Sequence, residues 1–230
     1  MKAFTLIFAL LFSFYSLAGN IIINGTRFIF HENAKEITIN MMNSADRPAV
    51  AQVWLDNGDE QNSPEMITIP FQITPPVAKI EAKGGQALRI KMLDKEHLPT
   101  DRESLWWLNV LDIPPMNTDE INALQLAIKS RFKFIYRPTN LGKPELAIKQ
   151  LIFKANNKEL TIENSTPFYI TIIKITENNK KAYLNNEAIM LAPKSTETIR
   201  LNKALRSGET LIVSNINDYG STIASKIIVK

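Results

Sequence analysis

Few residues in this chain could make or break bonds. The 230 residues include two histidines, His31 and His97, and no cysteine. Without thiols there is no disulfide, no cysteine nucleophile and no thiolate ligand. A zinc site would need both histidines plus carboxylates, and the two lie in different segments without the usual close spacing. A Ser-His-Asp arrangement needs only one histidine and stays formally open, but neither histidine has a recognisable motif around it. Gly84-Gly85 follows Lys83 in a turn and makes no phosphate loop. Asn24-Gly25-Thr26 and Asn164-Ser165-Thr166 match the glycosylation pattern, a weak signal that depends on the host. These residues describe a binding protein rather than an enzyme, with no metal and no cofactor.

The cations carry more information. A net charge of +4 is too small to argue for nucleic acid. Within LQLAIKSRFKFIYRP, residues 124–138, alternate positions separate cleanly. Leu124, Leu126, Ile128, Phe132, Phe134 and Tyr136 fall on one side of a strand, and Lys129, Arg131, Lys133 and Arg137 on the other. Near the start, Arg27 stands opposite Phe28 and Phe30. A lone cation on a strand is usually a solvated side chain. A row of them repels itself unless an anion or an acidic partner answers it, and it discourages edge-to-edge pairing between copies. Trp106 and Trp107 should point to opposite faces of a strand, one into a core and one partly exposed.

The elements that must position these residues read as strands. Residues 1–18 combine Lys2, an apolar run from Ala3 to Tyr15 and small residues before Gly19. This is the pattern of a secretory signal peptide, too short for a membrane anchor. Gly and Pro then punctuate short alternating runs: 26–30, 36–42, 49–55, 66–73, 86–92, 104–113 and the stretch 124–138. A second series comes at 146–154, 159–164, 168–176, 181–184, 196–201, 211–215 and 222–229. The expected strands number about 14, too many for one sandwich of roughly 7–9. The fold class is therefore all-β with two domains, 19–137 and 146–230. The break is PTNLGKPE, 138–145, with two prolines, a glycine and no apolar cluster.

Several short motifs, in order and at matching spacing, are similar to one known family. They are Thr26-Arg27, Ile73-Thr74-Pro75-Pro76-Val77, Leu98-Pro99-Thr100-Asp101-Arg102-Glu103-Ser104 and Ile113-Pro114-Pro115. Leu124-Gln125, Lys133 and Tyr136-Arg137-Pro138 come next. The second half adds Asn164-Ser165-Thr166-Pro167-Phe168-Tyr169, Leu191-Ala192-Pro193 and Ile216-Asn217-Asp218-Tyr219-Gly220. Together they resemble the periplasmic pilus (fimbrial) chaperones of the PapD type over essentially the whole mature chain. The resemblance implies two immunoglobulin-like sandwiches set as an L with a cleft between them, and no enzymatic activity. It implies pilus subunits and an outer-membrane usher as partners, and action in the periplasm. Donor-strand complementation would use Leu124, Leu126 and Ile128. Arg27 and Lys133 would hold the subunit's C-terminal carboxylate, and Glu103, Arg137 and Asp218 would form an ion network joining the domains.

The short loop from Met116 to Asn122 and the missing cysteines resemble the short-loop branch of that family. The rival reading is an exported two-sandwich protein whose basic face binds an acidic glycan or another surface polyanion. Lys129 and Arg131 have no assigned task beyond a soluble edge. The sequence leaves open whether free molecules self-associate to hide the lending strand.

Overall fold

A computed structural model describes residues 21–58, 69–115, 126–178 and 182–230. The leader and Leu124 lie outside the described residues. The first half contributes β1 (Ile21–Ile23), β2 (Arg27–His31), β3 (Glu36–Asn43), β4 (Ala49–Asp56) and β5 (Phe71–Thr74). It continues with β6 (Val77–Ile80), β7 (Gly85–Met92), β8 (Ser104–Ile113) and β9 (Ile128–Arg137). Alternation in the sequence becomes alternation in burial. In β3, Ile39 and Met41 are buried while Thr38, Asn40 and Met42 are exposed. Two sheets result, ordered β1-β3-β7-β5 and β2-β9-β8-β4-β6. Between them lies a core that includes Phe30, Ile39, Leu55, Leu88, Leu108 and Phe134. Phe71 is its aromatic hub, meeting Phe30, Trp106 and Phe134 edge-on at centroid distances of 5.2, 5.2 and 4.9 Å. Such contacts add to plain area burial.

Pairing around β9 sets the positions of the cations. β2 runs parallel to it, with Arg27 opposite Lys133 and His31 opposite Arg137. β8 runs antiparallel along its full length, from Ser104 opposite Tyr136 to Asp112 opposite Ile128. β2 therefore covers only the second half of β9. Among the described residues, Ile128 to Phe132 have a ladder partner on one side only.

The second half adds β10 (Ile152–Asn164), β11 (Ile170–Glu177), β12 (Ile189–Leu191), β13 (Ser195–Leu205), β14 (Thr210–Ile216) and β15 (Thr222–Ile228). Its sheets are β10-β13 and β12-β11-β14-β15. A separate core includes Phe153, Leu160, Ile162, Ile172, Leu191 and Val213. The chain is all-β, with two immunoglobulin-like sandwiches.

Three expectations for this half are corrected. Pro144–Gln150 is a 3-10 helix, not the start of a strand. Pro144 supplies the fixed φ of a first helical turn and lacks the amide that would go unpaired there. The strand expected in two pieces is one element, Ile152–Asn164, with a register shift between Asn157 and Glu159. Asn157 takes positive φ there (56°), as bulges permit. Residues 182–184 form no strand, although Leu184 is buried as a single anchor. The short strands β1, β6 and β12 were not expected.

Candidate functional site

Thr26 immediately precedes β2 and Arg27 begins it, and the turn after β14 comes to meet them. In that turn Asn217 Oδ1 accepts hydrogen bonds from the amides of Tyr219 and Ser221. Gly220 has φ of 81°, and a Cβ on it would stand 3.0 Å from Thr26 Oγ1. Only glycine combines that conformation with that approach. Two motifs far apart in sequence thus form one junction between the sandwiches.

Arg27 and Lys133 are adjacent in the β2–β9 register and both partly buried. Each reaches the other sandwich. Arg27 donates to the carbonyl of Ile216 at 3.3 Å, and Lys133 Nζ donates to Thr171 Oγ1 at 2.6 Å. Burial pushes the Lys133 ammonium down to about 8, and the neighbouring Arg27 pushes the same way. Burial also lowers Arg27, against the pull of Asp218 and Glu103. Arg27 Nε is buried with no hydrogen-bond acceptor among the described residues. Two like charges out of water, one with an unused donor, favour an anion between them. Thr171 was missed in the sequence, where it is one threonine among many on a distant strand. Arg27 also lines a cavity of about 460 Å³ between the sandwiches, with Leu146, Ile148 and Phe168 among its walls.

The apolar row on the other face of β9 changes environment along its length. Tyr136 and Phe134 are buried in the first core, and Phe132 packs against it. Ile128 is 40% exposed and Leu126 is 65% exposed. The row runs out of the protein's own core along the half of β9 that β2 leaves uncovered.

Arg137, on the cationic face, is buried. Its Nε donates to Glu103 Oε1 at 2.6 Å, and its two terminal nitrogens donate to Asp218 at 2.6 and 3.0 Å. Glu103 Oε2 accepts from the Tyr169 amide at 2.7 Å. The guanidinium lies over the Phe168 ring at 5.4 Å. Burial pushes the Glu103 carboxyl above its ordinary range, partly offset by Arg137 and the Tyr169 amide. Burial works against the Arg137 charge, but Asp218 and Glu103 outweigh it and hold the guanidinium above its usual value. The fold therefore brings Glu103, Arg137 and Asp218 together across the two sandwiches. Nearby, Lys194 pairs with Asp101.

Arg131 is not an idle edge cation. It pairs with the buried Asp56 at 2.9 Å and lies over the Trp107 ring at 4.8 Å. The acid that answers Arg131 comes from within the protein, on β4, which lies beyond β8 from β9 in the same sheet. Lys129 is exposed. Trp106 packs against the first core and Trp107 faces away from it. His31 and His97 are both exposed, in separate segments.

Two family models match this chain. Residues 20–142 match "Pili and flagellar-assembly chaperone, PapD N-terminal domain", and residues 146–227 match "Pili assembly chaperone PapD, C-terminal domain". The chaperone protein MrkB of Klebsiella pneumoniae is 52% identical over 234 residues, covering 100% of both chains. The crystal structure of the Pseudomonas aeruginosa CupB2 chaperone aligns with a TM-score of 0.78 at 31% identity, covering 91% of this chain and 100% of that one. A Salmonella enterica structure of the SafA pilin in complex with the SafB chaperone aligns with a TM-score of 0.79 at 26% identity, covering 94% and 99%.

Proposed function

The chain belongs to the PapD-type pilus-assembly chaperones, and from that premise we propose that it holds pilus subunits by lending them a strand from β9. A subunit whose sandwich lacks its last strand exposes a groove of core surface, which aggregates or unfolds when left open. Leu124, Leu126 and Ile128 recur at every second residue, so all three can enter such a groove. Backbone bonds from the uncovered half of β9 supply affinity without reading sequence. The subunit's C-terminal carboxylate sits between Arg27 and Lys133 and fixes the register, since a one-residue slip would turn the apolar row outward. Glu103, Arg137 and Asp218 hold the two sandwiches at the angle this requires. The protein acts in the periplasm after removal of residues 1–18. It passes its cargo to an outer-membrane usher and catalyses nothing.

The observation that carries this reading is the apolar row leaving the core at Phe132 and continuing, exposed, to Leu126 beside a half-buried cation pair. Full burial of such a side chain is worth about 1.5–3 kcal/mol. Scaled by their exposure, Leu126 and Ile128 together would gain about 1.5–3 kcal/mol. A polyanion-binding role fits less well, because the Arg131 charge is already answered by Asp56. Salt separates the two readings: polyanion binding falls steeply with ionic strength, whereas strand donation survives on apolar burial.

The test is co-expression with an exported pilus subunit from the same genome. A soluble one-to-one complex is expected from the periplasm. Arg27→Ala and Lys133→Ala should each abolish it while the free protein stays folded. If both variants still protect the subunit, the carboxylate clamp is wrong.

A further inference from the structure

Arg27, Lys133, Trp107 and Asp56 occupy matching register positions on four successive strands, β2, β9, β8 and β4. They form one row across the sheet face that turns away from the core. Lys133 therefore has a like charge on one side and an indole on the other. Its ammonium stands 6.0 Å from the Trp107 ring centroid, at the outer limit of a cation–π contact. The indole is itself held. The guanidinium of Arg131 covers it at 4.8 Å, and Asp56 fixes Arg131 in turn. Asp56 accepts further bonds from Asn109 at 2.6 Å and from the Gly58 amide at 2.8 Å. That last bond closes the turn after β4, so that a Cβ on Gly58 would stand 3.4 Å from Trp107 Nε1.

We propose that Trp107 is a positioning residue for the carboxylate clamp: pinned by the Asp56–Arg131 pair, its indole face fixes the Lys133 ammonium and favours its charged form. This rests on the reading of Arg27 and Lys133 as that clamp. A clamp made of two cations on neighbouring strands works against itself before its anion arrives, and the pair is half out of water. Something must hold Lys133 in place and charged in the empty protein. Thr171 on β11 gives it a neutral hydrogen bond. Among the described residues, the charged groups near it in this row are Arg27 on β2, Arg131 on its own strand and Asp56 on β4 behind the indole. Of these only Asp56 is an acid, and its charge is engaged by Arg131. Among the described residues, the indole face adds a second source of negative potential beside the ammonium, besides the Thr171 hydroxyl oxygen. It also gives a reason for holding Arg131 over the ring with a buried carboxylate.

The test is an NMR titration of the Lys133 side chain in the free protein. It compares wild type with proteins carrying increasingly fluorinated tryptophan at position 107, which keeps the ring shape while weakening its negative face. In the wild type, burial and Arg27 should bring the Lys133 midpoint down to about 8. The midpoint should fall stepwise with fluorination. Capture of a purified pilus subunit at pH 8 should weaken by roughly 2–5-fold, with little change at pH 6.5. Trp107→Phe should retain part of the effect and Trp107→Leu none of it. A midpoint that stays put or rises on fluorination overturns the role of Trp107, even if the subunit is captured. If the wild type captures no subunit at any pH, the strand-lending function fails instead, and the titration still decides what Trp107 does.

Discussion

Arg137→Ala strands a buried carboxylate. The Glu103 side chain is 1% exposed, and its Oε1 takes its hydrogen bond from Arg137. Its other oxygen keeps the Tyr169 amide. Desolvation already pushes this carboxyl upward, and removing the arginine takes away the strongest opposing pull. Breaking one side of a buried ion pair costs about 3–5 kcal/mol, a large share of the roughly 5–15 kcal/mol that holds a domain folded. Asp218 is different. Its side chain is 32% exposed, so Asp218→Asn should cost no more than about 1 kcal/mol. Urea unfolding followed by tryptophan fluorescence gives both values. The sign of the pH effect comes from the raised pKa of Glu103. Its ionised form is the costly one in the fold, so the Arg137→Ala deficit is full at neutral pH and shrinks as pH falls through that pKa. Two results would refute this reasoning: an Arg137→Ala loss below about 1 kcal/mol, or an Asp218→Asn loss of equal size.

Four further outcomes are expected. Leu126→Asp should block subunit capture in a pull-down, and Ile128→Ala should weaken it by about 0.6–1.2 kcal/mol, while both leave the free protein's unfolding free energy within about 0.5 kcal/mol of wild type because the side chains are exposed. Capture by the wild type should be strongest below pH 8 and fall as pH rises through the Lys133 midpoint of about 8, since a bound carboxylate favours the charged ammonium; Lys133→Arg, whose guanidinium does not titrate in this range, should flatten that profile between pH 7 and 9.

Whether a feature is legible in the sequence depends on what produces it. Alternation reports the face of a strand, so β3, β4, β7 and β8, and the division of β9 into an apolar and a cationic side, were legible. It does not report helical turns built from the same letters. Leu146 and Ile148 look like alternate strand positions, yet Pro144 starts a 3-10 helix there. Strands of three or four residues, β1, β6 and β12, are too short to show a period at all. Arg27, Lys133, Glu103, Arg137 and Asp218 could be picked out through resemblance to a family. Thr171, Asp56 and Trp107 could not, because their roles arise only from strand register and from contact between sandwiches. Arg131 is the instructive miss: a cation on a strand face looks solvated until its partner, 75 positions away, is placed.

The central claim is that the uncovered half of β9 becomes an inner strand of the subunit. Backbone hydrogen exchange of the free chaperone and of its complex with a pilus subunit tests it most directly. In the free protein, those amides of residues 128–132 that point away from β8 should exchange readily, because β2 does not reach them. In the complex they should become protected together, as ladder bonds to the subunit form. If they exchange alike in both, while protection gathers on the cationic face around Lys129, the protein does not lend this strand.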